Sequence, residues 1–88
     1  MKDRVNKWIL ADHAHCWHPF TDQASWESDL PVVICRGEGS WLFDFEGQRY
    51  LDANSSIWTN IHGHSHPVIV EAIQNQASKL CHSSYLGL

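Results

Sequence analysis

Three histidines alternate with small residues in the run HGHSHP, at His62, His64 and His66. In an extended backbone alternate side chains project from one face, so these imidazoles would share a face, and imidazole nitrogens are common zinc ligands. The same run equally describes a tight loop that leads into a helix, because Gly63 suits a turn and Pro67 suits the first helical position. No cysteine or carboxylate lies close by in the sequence to complete a zinc site. We assign no metal to this run and keep zinc as the alternative.

A second group of potential metal ligands lies nearer the amino terminus and comprises His13, His15, Cys16 and His18. The chain has three cysteines, an odd number, and their spacing matches neither a CxxC clip nor a disulfide framework. We therefore expect a reduced compartment in which Cys16, Cys35 and Cys81 are small buried apolar residues. No metal is assigned to this second group either.

Charge and composition exclude several classes of function. The formal net charge is −4 with histidines neutral, and the six lysines and arginines are scattered along the sequence. Such a distribution does not attract a phosphate backbone, so we expect no nucleic-acid partner. The longest apolar run near the start, residues 8–11, is too short for a signal sequence or a membrane span. With 88 residues, of which 43% are hydrophobic, the chain is expected to form a single globular, cytoplasmic unit.

Apolar spacing predicts helices at both ends of the chain. Residues 1–15 have helix-like spacing, and the helix should end before His18, because the following proline disfavours helix there. Residues 19–31 are predicted to be loop. A second helix should begin at Pro67 and run to about His82, with an apolar stripe at helical spacing.

Between the helices, β-branched and alternating residues predict three strands, over residues 32–36, 41–45 and 49–53. Gly37 and Gly39 are expected to supply the first turn, and Glu46 with Gly47 the second. The fold class is therefore predicted to be α+β: an amino-terminal helix, a three-stranded antiparallel meander and a closing helix.

Three stretches together carry a resemblance to a known family. They are HCWHPFT, then RGEGSWLFDFEGQRYLDANSSIWTNIHGHSHP, then AIQNQASKLCHSSYLGL. In this order they resemble the amino-terminal segment of class III pyridoxal-phosphate aminotransferases. Within that family the combination of WHPFT, SSIW and HGHSHP most resembles the branch that makes 7,8-diaminopelargonate in biotin biosynthesis. The likeness covers residues 15–88.

The resemblance implies a fold type I aminotransferase, a homodimer that acts on a small keto acid and an amino donor. Family members are several times longer, so residues 1–88 would be one amino-terminal segment: helix and loop (1–31), β meander (32–54), substrate-side loop (55–66) and helix (67–82). The cofactor lysine, the carboxylate against the pyridine nitrogen and the phosphate-binding amides lie downstream in the family. None of the three lysines here, Lys2, Lys7 and Lys79, matches the catalytic position. We expect no catalytic or cofactor-binding residue in this chain, and no activity from the chain alone.

Matching positions carry over three substrate-binding residues, Phe20, Ile57 and Trp58. Members that use S-adenosylmethionine have tyrosine in place of Phe20 and tryptophan in place of Ile57. A sulfonium cation gains about 0.5–2 kcal/mol over an aromatic face, which isoleucine does not provide. The departure favours lysine as the amino donor. Residues 85–88 fall where the family's chain approaches the partner's active site.

Plainer interpretations remain beside these. Phe20 could anchor its loop onto the meander, and Trp58 could be ordinary core. The chain could also be a small non-catalytic interaction or metal-binding module, closed by its five tryptophans. A third possibility is one half of a split enzyme, completed by a separate chain with the cofactor lysine.

Overall fold

The computed structural model describes residues 2–28 and 31–88, with side chains described from Lys7 onward. Its elements in chain order are α1 (Lys2–His15), α2 (Gln23–Trp26), β1 (Ile34–Glu38), β2 (Trp41–Asp44), β3 (Arg49–Leu51), α3 (Ser55–Trp58) and α4 (Pro67–Ala77). They divide into two compact units. Unit 1 comprises residues 1–36 and 42–51, and unit 2 comprises residues 37–41 and 52–88.

Helix α1 confirms the predicted amino-terminal helix, except that residue 1 lies outside the described residues. Its last turn carries His13 and His15, where partial negative charge at the helix end favours basic side chains. The prediction of a continuous loop over residues 19–31 is wrong, because α2 forms a single turn there. Asp22 occupies the residue before that turn, and its carbonyl accepts the Ser25 hydroxyl at 3.1 Å. Four residues are too few to show a helical period, so the pattern could not reveal this turn.

The predicted meander is confirmed, with strand order β1-β2-β3, although the strand ends differ. β1 begins at Ile34 rather than at residue 32, and β3 ends at Leu51 rather than at residue 53. In unit 1 the second turn is closed by Asp44, whose Oδ1 accepts the backbone N–H groups of Glu46 and Gln48, each at 2.9 Å. The positive φ of Gly47, 84°, fits this tight connection.

The first turn uses only one of its two predicted glycines. Gly39 has φ 56° and confirms its prediction, whereas Gly37 lies within β1 and has no positive φ. A Cβ atom at Gly37 would come within 2.7 Å of the Cβ of His64. The assignment of Gly37 to the turn is therefore wrong, and this glycine permits a close approach of another side chain instead.

In unit 2, Pro67 stands in the first turn of α4, as predicted. The helix ends at Ala77 rather than near His82, so that prediction is wrong. Ser78 follows as the cap, and its hydroxyl donates to the carbonyl of Asn75 at 2.8 Å. Serine hydroxyls compete in this way with backbone hydrogen bonds, which favours a helix end. Leu80 still donates its N–H to Gln76, so one further turn follows without continuing the helix.

Among the described residues none is buried as a whole, and many large apolar side chains are exposed. The prediction that the cysteines are buried is therefore wrong: Cys16, Cys35 and Cys81 are all free and exposed. Each unit is too small to enclose the cysteines, because a small unit buries only a small fraction of its surface. No helix within residues 2–28 or 31–88 has the length and apolar character needed to cross a bilayer.

Candidate functional site

The segment SSIW, which contains two of the predicted substrate-binding residues, forms a turn of left-handed helix. All four residues of α3 have positive φ: Ser55 53°, Ser56 50°, Ile57 62° and Trp58 67°. None is a glycine, and a left-handed conformation costs an L-residue about 1–2 kcal/mol. Ile57 is the least tolerant of the four, because it is β-branched. This left-handed turn (Ser55–Trp58) therefore needs specific contacts to hold it.

Those contacts converge on Asp52. Its Oδ1 accepts the backbone N–H of Ser56 at 2.9 Å, and its Oδ2 accepts the Ser56 hydroxyl at 2.8 Å. Within the turn, the N–H groups of Trp58 and Thr59 donate to the carbonyls of Asn54 and Ser55, at 2.8 and 3.0 Å. The carboxylate and the backbone bonds together fix the turn at its start and its end.

His64 also binds the Asp52 carboxylate. Its Nε2 lies 2.7 Å from Oδ2 of Asp52, and its Nδ1 is hydrogen-bonded to the side-chain amide of Asn60. Because a carboxylate can only accept, Nε2 must carry a proton, and Nδ1 of the neutral ring then accepts from the amide. The His64 backbone is fixed as well, by two hydrogen bonds to Gly39 at 2.7 and 3.1 Å.

Asp52 and His64 are nearly enclosed, with side chains 6% and 15% exposed. The Ser56 backbone N–H, the Ser56 hydroxyl and His64 hold the pKa of Asp52 below its usual value of 3.8, against the opposing effect of burial. Asp52 is thus ionised at neutral pH and remains a strong acceptor.

The structure brings Ile57 and Trp58 together in the left-handed turn, with side chains 67% and 84% exposed. The interpretation of Trp58 as ordinary core is wrong for the described residues. Phe20 lies in unit 1, where its side chain is fully exposed and its φ is 51°. All three predicted substrate-binding residues therefore combine an exposed side chain with a positive φ. Non-glycine residues adopt positive φ in only a few per cent of cases, and such strain clusters at functional sites.

Hydrogen bonds and ring packing within unit 1 hold the segment around Phe20. The Thr21 hydroxyl donates to the carbonyl of Pro19 at 2.9 Å, and Nε2 of His18 lies 2.7 Å from Oδ2 of Asp12. The His18 ring also packs on Trp26, with ring centroids 4.3 Å apart. The Phe20 side chain is fully exposed, so the interpretation that it anchors its loop onto the meander finds no support in unit 1.

A cleft of about 750 Å³ also lies in unit 1, lined mostly by apolar residues of α1 and of the segment before β1, among them Trp8, Val32 and Phe45. Phe20 does not line it. Asp12 and Cys16 also line it, and the hydrogen bond to Asp12 raises the pKa of the Cys16 thiol. A thiol held in its neutral form is a poor nucleophile and a poor metal ligand.

Several of the candidate metal ligands make other contacts. Both ring nitrogens of His64 make hydrogen bonds, and His62 packs edge-on against His66 with ring centroids 6.2 Å apart. In the amino-terminal group, His18 pairs with Asp12 and His13 packs on Trp26. Within residues 2–28 and 31–88 no three potential ligands converge in a way that could hold an ion.

Sequence reasoning missed Asp52, Asn60 and Gly37. A usable signal was present for the first, since Asp52 stands four residues before Ser56, a spacing at which carboxylates commonly accept from backbone and hydroxyl groups. Asn60 likewise stands four residues before His64. Gly37 depends on a contact with His64 that is distant in sequence, which no local pattern reports.

Comparison with known proteins places this arrangement in a family. Residues 23–88 match the family model described as aminotransferase class-III. The adenosylmethionine-8-amino-7-oxononanoate aminotransferase of Geobacter sulfurreducens is 54% identical over 77 residues, which are 88% of this chain and 17% of that protein.

Solved structures agree. The crystal structure of adenosylmethionine-8-amino-7-oxononanoate aminotransferase from Methanocaldococcus jannaschii matches all of this chain and 19% of its own, with TM-score 0.81 and 46% identity. An (S)-enantioselective omega-transaminase from Thermomicrobium roseum matches 96% of this chain, with TM-score 0.82 and 33% identity. This chain thus spans less than a fifth of the length of each of these relatives. It belongs to the class-III aminotransferase family.

Proposed function

We propose that this chain is the amino-terminal segment of a pyridoxal-phosphate-dependent aminotransferase of biotin biosynthesis. The complete enzyme, meaning the polypeptide that carries this chain as its first segment, would convert 7-keto-8-aminopelargonate (8-amino-7-oxononanoate) to 7,8-diaminopelargonate. The similarity to two adenosylmethionine-8-amino-7-oxononanoate aminotransferases supports this assignment. The observation that carries it is the state of Phe20, Ile57 and Trp58, which are exposed and held at positive φ.

The described residues do not fit a role in anchoring pyridoxal phosphate. A Schiff base needs a lysine in an enclosed site. Lys7 and Lys79 are both exposed, and neither lines the cleft in unit 1. We therefore assign the cofactor-binding groups to the remainder of the complete enzyme. The chain alone is proposed to be inactive, and no chemical step is assigned to its side chains.

The role of this chain is to bind and orient substrate. Apolar surface removed from water contributes about 25 cal/mol per Å², and the exposed faces of Phe20 and Trp58 offer such surface to the aliphatic chain of the keto acid. Ile57 adds a stiff, β-branched wall next to Trp58. These side chains exclude water from the acyl chain and limit the poses in which the keto group can react.

We further propose lysine as the amino donor. Ile57 has no aromatic face, so its position lacks the cation–π contact that a tryptophan there would offer a sulfonium donor, and Phe20 lacks the hydroxyl group of a tyrosine. The complete enzyme is proposed to be a cytoplasmic homodimer, with residues 85–88 approaching the active site of the second subunit. The exposed Tyr85, Leu86 and Leu88 would be covered by that contact.

A small non-catalytic interaction or metal-binding module is not favoured. Family membership supports a role within a larger enzyme, and the described residues enclose no core of their own. Large exposed apolar surfaces of this kind are typical of segments that pack against other protein.

A segment exchange tests the proposal. This chain would replace the matching segment of the Methanocaldococcus jannaschii enzyme, and conversion of 8-amino-7-oxononanoate would be measured with lysine and with S-adenosylmethionine. We expect the cofactor-loaded chimera to keep kcat/KM within about tenfold of the parent, equivalent to about 1.4 kcal/mol of transition-state stabilisation. A soluble chimera that binds pyridoxal phosphate yet shows no turnover would refute the assignment.

A further inference from the structure

We propose that Asp52 is a positioning residue for substrate: its carboxylate holds the left-handed turn (Ser55–Trp58) and so sets the direction in which Ile57 and Trp58 project. This role rests on the proposed function, because it assumes that Ile57 and Trp58 meet the substrate. The hold on the turn itself is a structural statement and is testable without the reaction.

The amino-acid sequence of the turn does not explain its conformation. Left-handed residues are usually glycine, sometimes asparagine or aspartate, and they normally occur singly. Here two serines, an isoleucine and a tryptophan adopt it in succession. A conformation that four residues individually disfavour persists only when its surroundings over-determine it.

The Asp52 carboxylate provides such stabilising contacts at Ser56, the second residue of the turn. One oxygen accepts the Ser56 backbone N–H and the other accepts the Ser56 hydroxyl, at 2.9 and 2.8 Å. The two bonds fix both the peptide plane and the side chain of Ser56. A third, longer contact of 3.5 Å joins the Ile57 N–H to the Asn54 side chain and contributes less.

Asp52 can act as an anchor because it is itself fixed on two sides. Its backbone N–H donates to the carbonyl of Ser40 at 2.8 Å, and its Oδ2 receives the proton on His64 Nε2. Its side chain is 6% exposed, so water competes little for the carboxylate. The anchor therefore connects the turn to the β1–β2 connection and to the HGHSHP loop within unit 2.

The position of the anchor explains its effect on the substrate-binding residues. Ile57 and Trp58 follow Ser56 directly, so a return of Ser56 to negative φ would swing both side chains away from their present directions. A displacement of about 1 Å in a substrate-positioning group costs about 100-fold in rate. Asp52 thus acts through other residues and touches no substrate.

The test compares Asp52→Ala, Asp52→Asn and the double variant Asp52→Ala/Ser56→Gly in the complete, cofactor-loaded enzyme. We expect Asp52→Ala to lower kcat/KM for the keto acid by about 10- to 100-fold, with pyridoxal-phosphate absorbance unchanged. Asp52→Asn should lose less, because it keeps an acceptor for the Ser56 N–H. In the double variant, glycine tolerates positive φ without the carboxylate, so it should recover several-fold of the lost kcat/KM.

A matched control comes from Asp44, which accepts two backbone N–H groups and the Tyr50 hydroxyl in the β2–β3 turn. Asp44→Ala removes a comparable set of bonds and should leave the KM for the keto acid unchanged. Wild-type kcat/KM in Asp52→Ala overturns the proposal. So does a loss in Asp52→Ala that Ser56→Gly does not restore.

A crystal structure of the Asp52→Asn enzyme shows whether Asp52 holds the turn, independently of whether the turn positions substrate. It can be used even if the Asp52→Ala enzyme does not bind cofactor. We expect partial relaxation of φ at Ser56 and Ile57. An unchanged turn together with reduced activity overturns the positioning role. If the wild-type enzyme does not turn over 8-amino-7-oxononanoate, the proposed function fails, while the same structure still decides whether Asp52 holds the turn.

Discussion

Nε2 of His64 lies 2.7 Å from Oδ2 of Asp52, and the same oxygen accepts the hydroxyl of Ser56. One carboxylate oxygen therefore joins the histidine-rich loop to the left-handed turn that carries Ile57 and Trp58. The histidine that alternation marked as a potential zinc ligand instead orients an aspartate. This use of His64 explains why the HGHSHP run and the SSIW segment act as one structural feature of unit 2.

Gly37 makes the approach of His64 possible, and Gly37→Ala should weaken it. The added methyl would lie 2.7 Å from the His64 Cβ, well inside contact distance. We expect the free energy of unfolding to fall by about 1–3 kcal/mol, as for other overpacked sites. Chemical denaturation measures the free energy of unfolding, and Gly37→Ala is compared in the wild-type and the His64→Gly proteins. If the cost of Gly37→Ala is the same with and without the His64 side chain, the contact is not its cause.

Acid should loosen the left-handed turn. The pKa of Asp52 is lowered in the folded chain by the Ser56 N–H, the Ser56 hydroxyl and His64. A lowered folded pKa contributes stability above the unfolded pKa, near 3.8, and that stability is lost as pH falls through the folded pKa.

The contribution of Asp52 to the free energy of unfolding should therefore be constant above about pH 5 and should decrease from about pH 4 downward. Unfolding measured across this range in wild type and Asp52→Asn checks the prediction, and the variant should show a shallower decline. If wild type and Asp52→Asn lose stability equally as the pH falls, protonation of Asp52 is not linked to folding.

Tyr50 should titrate at higher pH than an ordinary tyrosine. Its hydroxyl donates to Oδ2 of Asp44 at 2.9 Å, and this bond, with partial burial and the Asp44 charge, raises its pKa from 10.0. The 88-residue chain has two tyrosines, so absorbance titration of this chain with Tyr85→Phe reports Tyr50 alone. Adding Asp44→Asn should bring the pKa of Tyr50 back toward 10.0. A titration that Asp44→Asn leaves unmoved would contradict the assigned hydrogen bond.

Donor preference should shift when aromatic surface is restored beside Trp58. In the complete enzyme, Ile57→Trp with Phe20→Tyr should raise the ratio of kcat/KM for S-adenosylmethionine to that for lysine. A cation–π contact of about 0.5–2 kcal/mol corresponds to about a 2- to 30-fold change in this ratio. Separate half-reactions with each donor provide the measurement, and Ile57→Leu is the control that changes shape without adding an aromatic face. No change in the ratio would remove these positions from donor recognition.

The meander and the start of α4 were predictable because their signals are local. Alternating residues, the Glu46-Gly47 turn and Pro67 each impose a backbone preference that the structure follows. The left-handed turn was not predictable in this way, since SSIW contains no residue that favours positive φ. Its conformation depends on His64, which lies 12 residues beyond Asp52 in sequence.

The predicted site residues came from motif resemblance and not from any local rule. The residue types of Phe20 and Trp58 do not show whether their side chains are exposed or buried, because burial depends on the surrounding residues. The same reasoning failed for Cys16, Cys35 and Cys81, which were expected to be buried and are exposed. Local patterns therefore predicted the meander and the two longer helices, whereas the short turns, the exposure and the strain required the structure.

The most direct test of the account is the kcat/KM of the complete enzyme for 8-amino-7-oxononanoate after Trp58→Ala, with Trp8→Ala as the control. Both tryptophans are substantially exposed in this chain, at 84% and 56%, but only Trp58 lies in the left-handed turn. If Trp58 binds the acyl chain, losing about 2–3 kcal/mol of apolar contact lowers kcat/KM by about 30- to 150-fold. Trp8→Ala should leave it within about threefold. A cofactor-loaded Trp58→Ala enzyme with unchanged kcat/KM would contradict the claim that this chain forms part of the substrate site.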